Sequence, residues 1–246
     1  MKPRLSVFAL LILAASAAVA RDEAPSYLDR AAVDAVKLLP GPPSATSQEA
    51  RQELDLMLLI QEKRTKQDVD RCQSEVKLKI DAFQDVLGPW LTERNVPRLA
   101  KVFTALESES KRFSDAVKAL YRRPRPEHEE PRIHVPIQDE TTFAYPSGHA
   151  TRGMLYALIL AELAPDHRQE LLDRGREIGW DRVVAGLHHP SDIMAGRVLG
   201  QALAQSLLAN PKFKPELAEL KAELRAAEQQ AQASKTLEPA AGRQPN

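Results

Sequence analysis

The chain has 246 residues and a mass of 27.3 kDa, enough for one large core or at most two small ones. Its 34 basic and 34 acidic side chains balance to a formal net charge of +0, without the concentrated basic surface that nucleic acid requires. Aromatic residues make up only 5%, and alternating strand-like runs are almost absent, which moves the expectation to an all-α fold.

In chain order, residues 1–20 read as a secretory signal peptide. Lys2 and Arg4 form a basic n-region, Leu5 to Ala15 is mostly apolar, and Ala18-Val19-Ala20 is an A-x-A cleavage site. A retained N-terminal anchor is the alternative, disfavoured because the apolar stretch is short for a membrane span. Cleavage after Ala20 removes two cations and no anion, taking the net charge from +0 to −2, so the mature chain is slightly acidic. No later segment approaches the roughly 20 apolar residues of a transmembrane helix. The longest, Met154 to Ala164, carries Glu162. The expectation is an exported chain, periplasmic or secreted, with no stable membrane span.

Residues 38–44, LLPGPPS, form a proline-rich entry segment. Thr46 and Glu49 have capping-box spacing and open a long helical stretch, with Leu54, Leu58 and Ile60 apolar, that runs until Gly88-Pro89 breaks it. The single cysteine, Cys72, lies in this stretch; the expectation is a buried, inert thiol, against pairing between chains. After the break at Asn95-Val96-Pro97, residues 98–121 place Leu99, Val102, Phe103, Leu106, Phe113, Val117 and Leu120 at helical spacing. Residues 124–136, PRPEHEEPRIHVP, cannot be regular helix and read as a loop. Helices are expected next at 148–164, from about Asp166 (whose side chain can cap HRQELLDRGREI), and at about 190–208. Gly196 and Gly200, four apart, permit close packing of that last helix. The tail from Pro215 holds one charged amphipathic helix with Leu217, Leu220 and Leu224, then a polar end expected to fray.

Three blocks carry chemistry. Residues 118–126, KALYRRPRP, are by themselves a basic helix end meeting the helix dipole, with Arg125 past the breaker on a rigid loop. Residues 146–149, PSGH, are a capped helix start, and such an N-terminus offers free N–H groups and a positive dipole end to an anion. In residues 182–192, RVVAGLHHPSD, Pro190 suits a first helical turn, so His188 stands at the helix entrance with Asp192 one turn in. A carboxylate on Nδ1 fixes the tautomer and leaves Nε2 as nucleophile or base. Each block alone has a bland structural explanation. Together they are the inventory for phosphoryl transfer through a phosphohistidine. Lys118, Arg125 and Arg182 would neutralise nonbridging oxygens, with donors at Ser147 and Gly148. His188 would attack phosphorus, Asp192 would orient it, and His149 would protonate the leaving alcohol and then activate water. His189 and His167 are assigned no catalytic part.

K-x6-RP, PSGH and R-x5-H-x3-D resemble the three signature blocks of the type 2 phosphatidic acid phosphatase superfamily. That superfamily includes secreted bacterial class A non-specific acid phosphatases, membrane lipid phosphatases and vanadium-dependent haloperoxidases. The match holds at Lys118, Arg125, Pro126, Pro146, Ser147, Gly148, His149, Arg182, Gly186, His188 and Asp192. LLPGPPS and Gln61-x-x-Arg64-Thr65 extend a looser likeness to the class A enzymes. The resemblance implies a compact all-α bundle and metal-independent hydrolysis of small-molecule phosphate monoesters, with no cofactor. It divides the chain into a signal peptide (1–20), an all-α phosphatase domain (21–210) and a charged C-terminal helix with a flexible tail (211–246), which could pair with a copy of itself into a homo-oligomer. One departure stands out: Asp181 precedes Arg182 where the family commonly has serine. Either Asp181 faces away, pairing with a neighbouring cation, or it alters affinity and pH optimum; the first is expected. The acidic loop with Glu127, His128, Glu129, Glu130 and His134 has no fixed ligand spacing and reads as solvated rather than metal-binding. The competitors are a lipid or diphosphate phosphatase, a vanadium-dependent haloperoxidase and a non-catalytic phosphate-binding or scaffold protein.

Overall fold

Turn chemistry decides where each helix starts. In the computed structural model, which describes residues 26–237 apart from 30, 32 and 139, a single turn α1 (Ala35–Leu38) leads into the proline-rich segment. The segment read as a signal peptide and the polar end of the tail lie outside the described residues. Ser47, one residue after the expected Thr46, caps α2 (Gln48–Lys63): its extended backbone lets the hydroxyl accept from the Ala50 N–H at 3.1 Å. The long stretch expected to run to Gly88 is cut at Arg64. Thr65 and Asp68 form a capping box that opens α3 (Lys66–Ser74). A 3-10 turn leads into α4 (Gln84–Leu87), which is closed by Gly88 at φ 105°, a conformation that favours glycine.

Pro97 takes the first position of α5 (Pro97–Tyr121), which ends at Arg122 in the left-handed region. The segment expected to be wholly loop contains one helical turn, α6 (Pro126–Glu129). Ser147 caps α7 (Gly148–Leu163). Asp166 does not cap the next helix: it sits inside a 3-10 turn, and α8 (Arg168–Val184) begins with no side-chain cap. The chain continues through α9 (Pro190–Ala209) and α10 (Lys214–Leu237). No strand occurs among the described residues, and the fold is all-α as expected.

Helix α7 is apolar on nearly every side and occupies the centre, packed against α8, α9, α5 and α10. Phe103 and Tyr156 stack with centroids 4.0 Å apart, and the Tyr156 hydroxyl donates to the Phe103 carbonyl at 2.8 Å. Leu220 and Leu224 of α10 are buried in the same core, each burial contributing about 1.5–3 kcal/mol. Leu120, expected on the apolar stripe of α5, is instead 54% exposed.

The contact of α7 with α9 is backbone against backbone. A Cβ on Gly196 would lie 2.6 Å from the Ser147 carbonyl oxygen, and one on Gly200 would lie closer still to that of Thr151. On the other side, a Cβ on Gly175 of α8 would lie 2.7 Å from the Gly153 carbonyl oxygen. These approaches bring the N-termini of α7 and α9 and the C-terminus of α8 to one end of the molecule.

Gly200→Ala tests that constraint. The neighbour is backbone and cannot rotate away, so the helices must part, at a cost of about 1–3 kcal/mol. The thermal midpoint should fall by several degrees, whereas Gln201→Ala, on the exposed side, should leave it in place. Equal midpoints for the two variants would remove the close approach as a constraint.

Candidate active site

At that shared end a cavity of about 330 Å³ is lined by Lys118, Glu140, Thr142, Gly148, His149 and Arg182, among others. Lys118 comes from the last turn of α5, His149 from the first turn of α7 and Arg182 from the last turn of α8. Arg125, Ser147, His188 and Asp192, the remaining residues singled out by spacing, are buried behind the lining.

Asp192 is the hinge of the inner layer. Its Oδ2 accepts from the His189 backbone N–H at 2.8 Å, completing a capping box for α9, and faces His188 Nδ1 at 3.5 Å and His189 Nδ1 at 3.0 Å. Its Oδ1 accepts from Arg123 Nη1 at 2.7 Å. Arg123 also donates to Ser191 Oγ and to Glu53, each at 2.7 Å, while the other Glu53 oxygen accepts from the Ser191 N–H at 2.6 Å. Burial pushes the Asp192 carboxyl up, but the two facing imidazoles and the Arg123 charge outweigh it and hold the group ionised.

His188 Nε2 lies 3.0 Å from Arg125 Nη1. A guanidinium only donates, so Nε2 is the acceptor nitrogen and the ring proton is on Nδ1, facing Asp192. Burial, then the Arg125 charge, push this histidine down to about 3, so it is neutral at ordinary pH.

His149 is arranged the other way round. Its Nε2 faces the carbonyl oxygens of Glu75 and Val76 at 3.2 and 3.4 Å, which accept only, so the proton sits there and Nδ1 turns to the cavity. Burial first, then the Arg152 and Arg182 charges, hold it well below its usual value.

A carboxylate stands between the two imidazoles. Glu140 Oε2 accepts from Arg125 Nη2 at 2.7 Å, and Glu140 Oε1 lies 3.5 Å from His149 Nδ1. Burial would raise the Glu140 carboxyl, but Arg125 and the flanking histidines pull it below the ordinary range. Arg125 is further held by the Thr142 carbonyl and hydroxyl at 2.8 and 3.0 Å and by the Leu187 carbonyl at 2.8 Å. The 140–142 loop thus covers Arg125 and His188. Lys118 donates to the Phe143 carbonyl of the same loop, and burial with the Arg125 charge pushes its ammonium down to about 8.

Arg182 donates to the Cys72 carbonyl at 2.9 Å and to Glu75 at 3.2 Å, while its buried Nε has no hydrogen-bond partner. Ser147 spends its backbone N–H on the Asp192 carbonyl at 3.0 Å and accepts with its hydroxyl from Ala150 at 3.3 Å. Asp181 faces away from the cavity: Arg71 binds it through Nε at 2.9 Å and Nη2 at 2.7 Å. Cys72 is buried, its thiol donates to the Asp181 carbonyl at 3.2 Å, and burial pushes it up to about 11. Gln61 and Arg64 tie the 132–134 segment to α2, accepting from the His134 N–H and donating to the carbonyls of Arg132, His134 and Val184. Among the described residues no three His, Cys, Asp or Glu side chains gather as metal ligands.

Sequence reading missed Glu53, Arg123, Glu140 and Arg152. Arg123 lay inside a noted block, indistinguishable from its neighbours. His189, given no part, shares the Asp192 carboxylate with His188.

The PAP2 superfamily pattern matches residues 102–214. A non-specific acid phosphatase of Providencia stuartii is 30% identical over 204 residues, covering 78% of this chain and 81% of that one. Another from Salmonella typhimurium is 30% identical over 237 residues, covering 91% and 93%. Among solved structures, a transmembrane PAP2-type phosphatidylglycerolphosphate phosphatase from Bacillus subtilis is similar at a TM-score of 0.36 and 15% identity, over 69% of this chain and 98% of that one. The superfamily match over residues 102–214, a span that holds all three blocks, and 30% identity to the acid phosphatases over most of the chain make it a member of the PAP2 superfamily.

Proposed function

We propose that the chain is an exported, metal-independent acid phosphatase that hydrolyses phosphate monoesters through a phosphohistidine on His188. The observation that carries the proposal is Glu140: an anionic carboxylate held by Arg125 and faced by His149 marks the seat of an oxyanion. Substrate phosphate takes that seat as the carboxylate swings out. Arg125, Arg182 and Lys118 then neutralise its nonbridging oxygens, and the Gly148 end of α7 adds the positive pole of its dipole.

His188 Nε2, released from Arg125, forms the N–P bond while the ester P–O bond breaks. Asp192 stabilises the cationic ring through Nδ1–H. His149 takes up a second proton, on Nδ1, as the phosphate dianion binds, and passes that proton to the leaving oxygen. In the second half-reaction His149 Nδ1 takes a proton from water as that water attacks phosphorus and the N–P bond breaks. Export rests on the basic, apolar and A-x-A sequence of residues 1–20. No helix among the described residues is long and apolar enough to cross a membrane.

Purified protein should hydrolyse an aryl phosphate in chelator and be inhibited by vanadate. His188→Ala should lower kcat by about a thousandfold or more. A fully active variant would overturn the assignment. His149→Ala should slow poor leaving groups more than good ones, and equal losses count against its acid role.

The pH dependence comes from the groups around the seat. Unfolded histidine binds its proton near pH 6.5, whereas folded His188 does so only near 3. Its stability contribution is therefore present above pH 6.5 and lost as the pH falls through that interval. A bound dianion favours the protonated forms of His149, His188 and Lys118, so it binds with proton uptake and restores what acid removes. Sulfate, a dianion throughout, should raise the thermal midpoint more at pH 5 than at pH 9; a pH-independent rise would contradict the cationic cradle. Glu140→Gln removes the competing charge and should lower KM for the aryl phosphate several-fold. A raised KM would show that the carboxylate belongs to the productive complex instead.

A further inference from the structure

Arg152 lies on α7 one turn beyond His149 and lines the same cavity. Its Nη1 lies 3.5 Å from the position a Cβ on Gly148 would take, so the guanidinium folds back over the helix start towards the His149 side of the site. Its Nε is buried with no hydrogen-bond partner, and the nearest carboxylate contact, to Glu107, is long at 4.0 Å. Among the charges that depress His149, that of Arg152 ranks ahead of Arg182. Glu107 is itself 47% exposed and meets the guanidinium only at that distance, so the charge is weakly matched and open to an anion from the cavity, and none of the steps above uses it. The rim beyond it adds Lys77 and Lys111, the latter paired with Asp115.

Position decides which anion. The transferred phosphoryl group faces His188, Arg125 and Arg182; His149 marks the side from which the leaving group departs. We propose that Arg152 is a specificity-determining residue that receives the negative charge of a phosphorylated leaving group, so that phosphoanhydrides such as inorganic pyrophosphate are preferred over esters of neutral alcohols. The inference rests on the phosphohistidine reading, which defines the leaving-group side. His188 Nε2 forms the N–P bond and the bridging P–O bond breaks. The bridging oxygen keeps the electron pair, takes the His149 proton and leaves as phosphate against Arg152. Water then cleaves the N–P bond, returning a proton to His149, so that one pyrophosphate and one water yield two phosphates.

The test is the ratio of kcat/KM for pyrophosphate to kcat/KM for phenyl phosphate, which cancels any common effect of Arg152 on His149. The wild-type ratio should exceed one. It should fall about tenfold or more in both Arg152→Met and Arg152→Gln, the loss of one charge-assisted hydrogen bond, and Arg152→Lys should recover most of it. A ratio unchanged in the neutral variants overturns the inference, as does wild-type enzyme that cleaves phenyl phosphate but not pyrophosphate. Protein inert towards both substrates overturns the phosphatase reading and this inference with it.

Discussion

The most deeply buried guanidinium groups of this protein, those of Arg123, Arg125, Arg174 and Arg182, each meet a carboxylate, and that matching organises the end of the apolar core. Arg71 is matched by Asp181, Arg174 and Arg182 by Glu75, Arg123 by Glu53 and Asp192, and Arg125 by Glu140. Removing one partner of such a pair costs about 3–5 kcal/mol because the other charge is stranded. The partners differ in mobility. Glu53 and Asp192 sit on helices, and Glu75 directly follows one, all buried; Asp181 is wholly buried on α8. Glu140 is on a loop with its side chain 32% exposed. Under the proposed function it is this carboxylate that an external anion displaces from Arg125, a cation already desolvated.

Packing and chemistry are coupled through the helix ends. The glycine contacts of α9 and α8 with α7 admit no side chain between the backbones, which puts two helix N-termini and their positive poles at one point. Both ends are answered locally: Ser147 caps α7, while Glu53 and Asp192 take the first N–H groups around α9. Pushing α7 and α9 apart would therefore shift His149 relative to His188 as well as cost stability.

Much of this was legible in the sequence, for identifiable reasons. Helices α5, α7 and α9 begin at proline or serine and repeat apolar residues at helical spacing, so they could be read from local chemistry. The three blocks were legible because their residue types make sense together. Asp181 was legible only as an anomaly, since its partner Arg71 lies 110 residues away. Glu140 had no signal: it belongs to an irregular stretch with no period, and nothing in DETT says which carboxylate turns inward. Among Arg122, Arg123 and Arg125, the left-handed turn at Arg122 decides which face the buried network, and that turn carries no glycine to announce it. The break at Arg64 was hidden because the apolar pattern of α2 continues towards α3, and only the Thr65–Asp68 box divides them.

Asp192 joins two roles in one carboxylate: it caps a helix and, under the proposed function, it orients the nucleophile. Its Oδ2 caps α9 through the His189 N–H and faces His188 Nδ1, while Oδ1 is fixed by Arg123. An acidic residue at the third helical position is the ordinary way to stabilise a helix start. Here the same oxygen that closes the first turn of α9 also faces the Nδ1 of the imidazole just before it. Folding the helix entrance thus delivers the Asp192 carboxylate to the Nδ1 side of His188, 3.5 Å from that nitrogen.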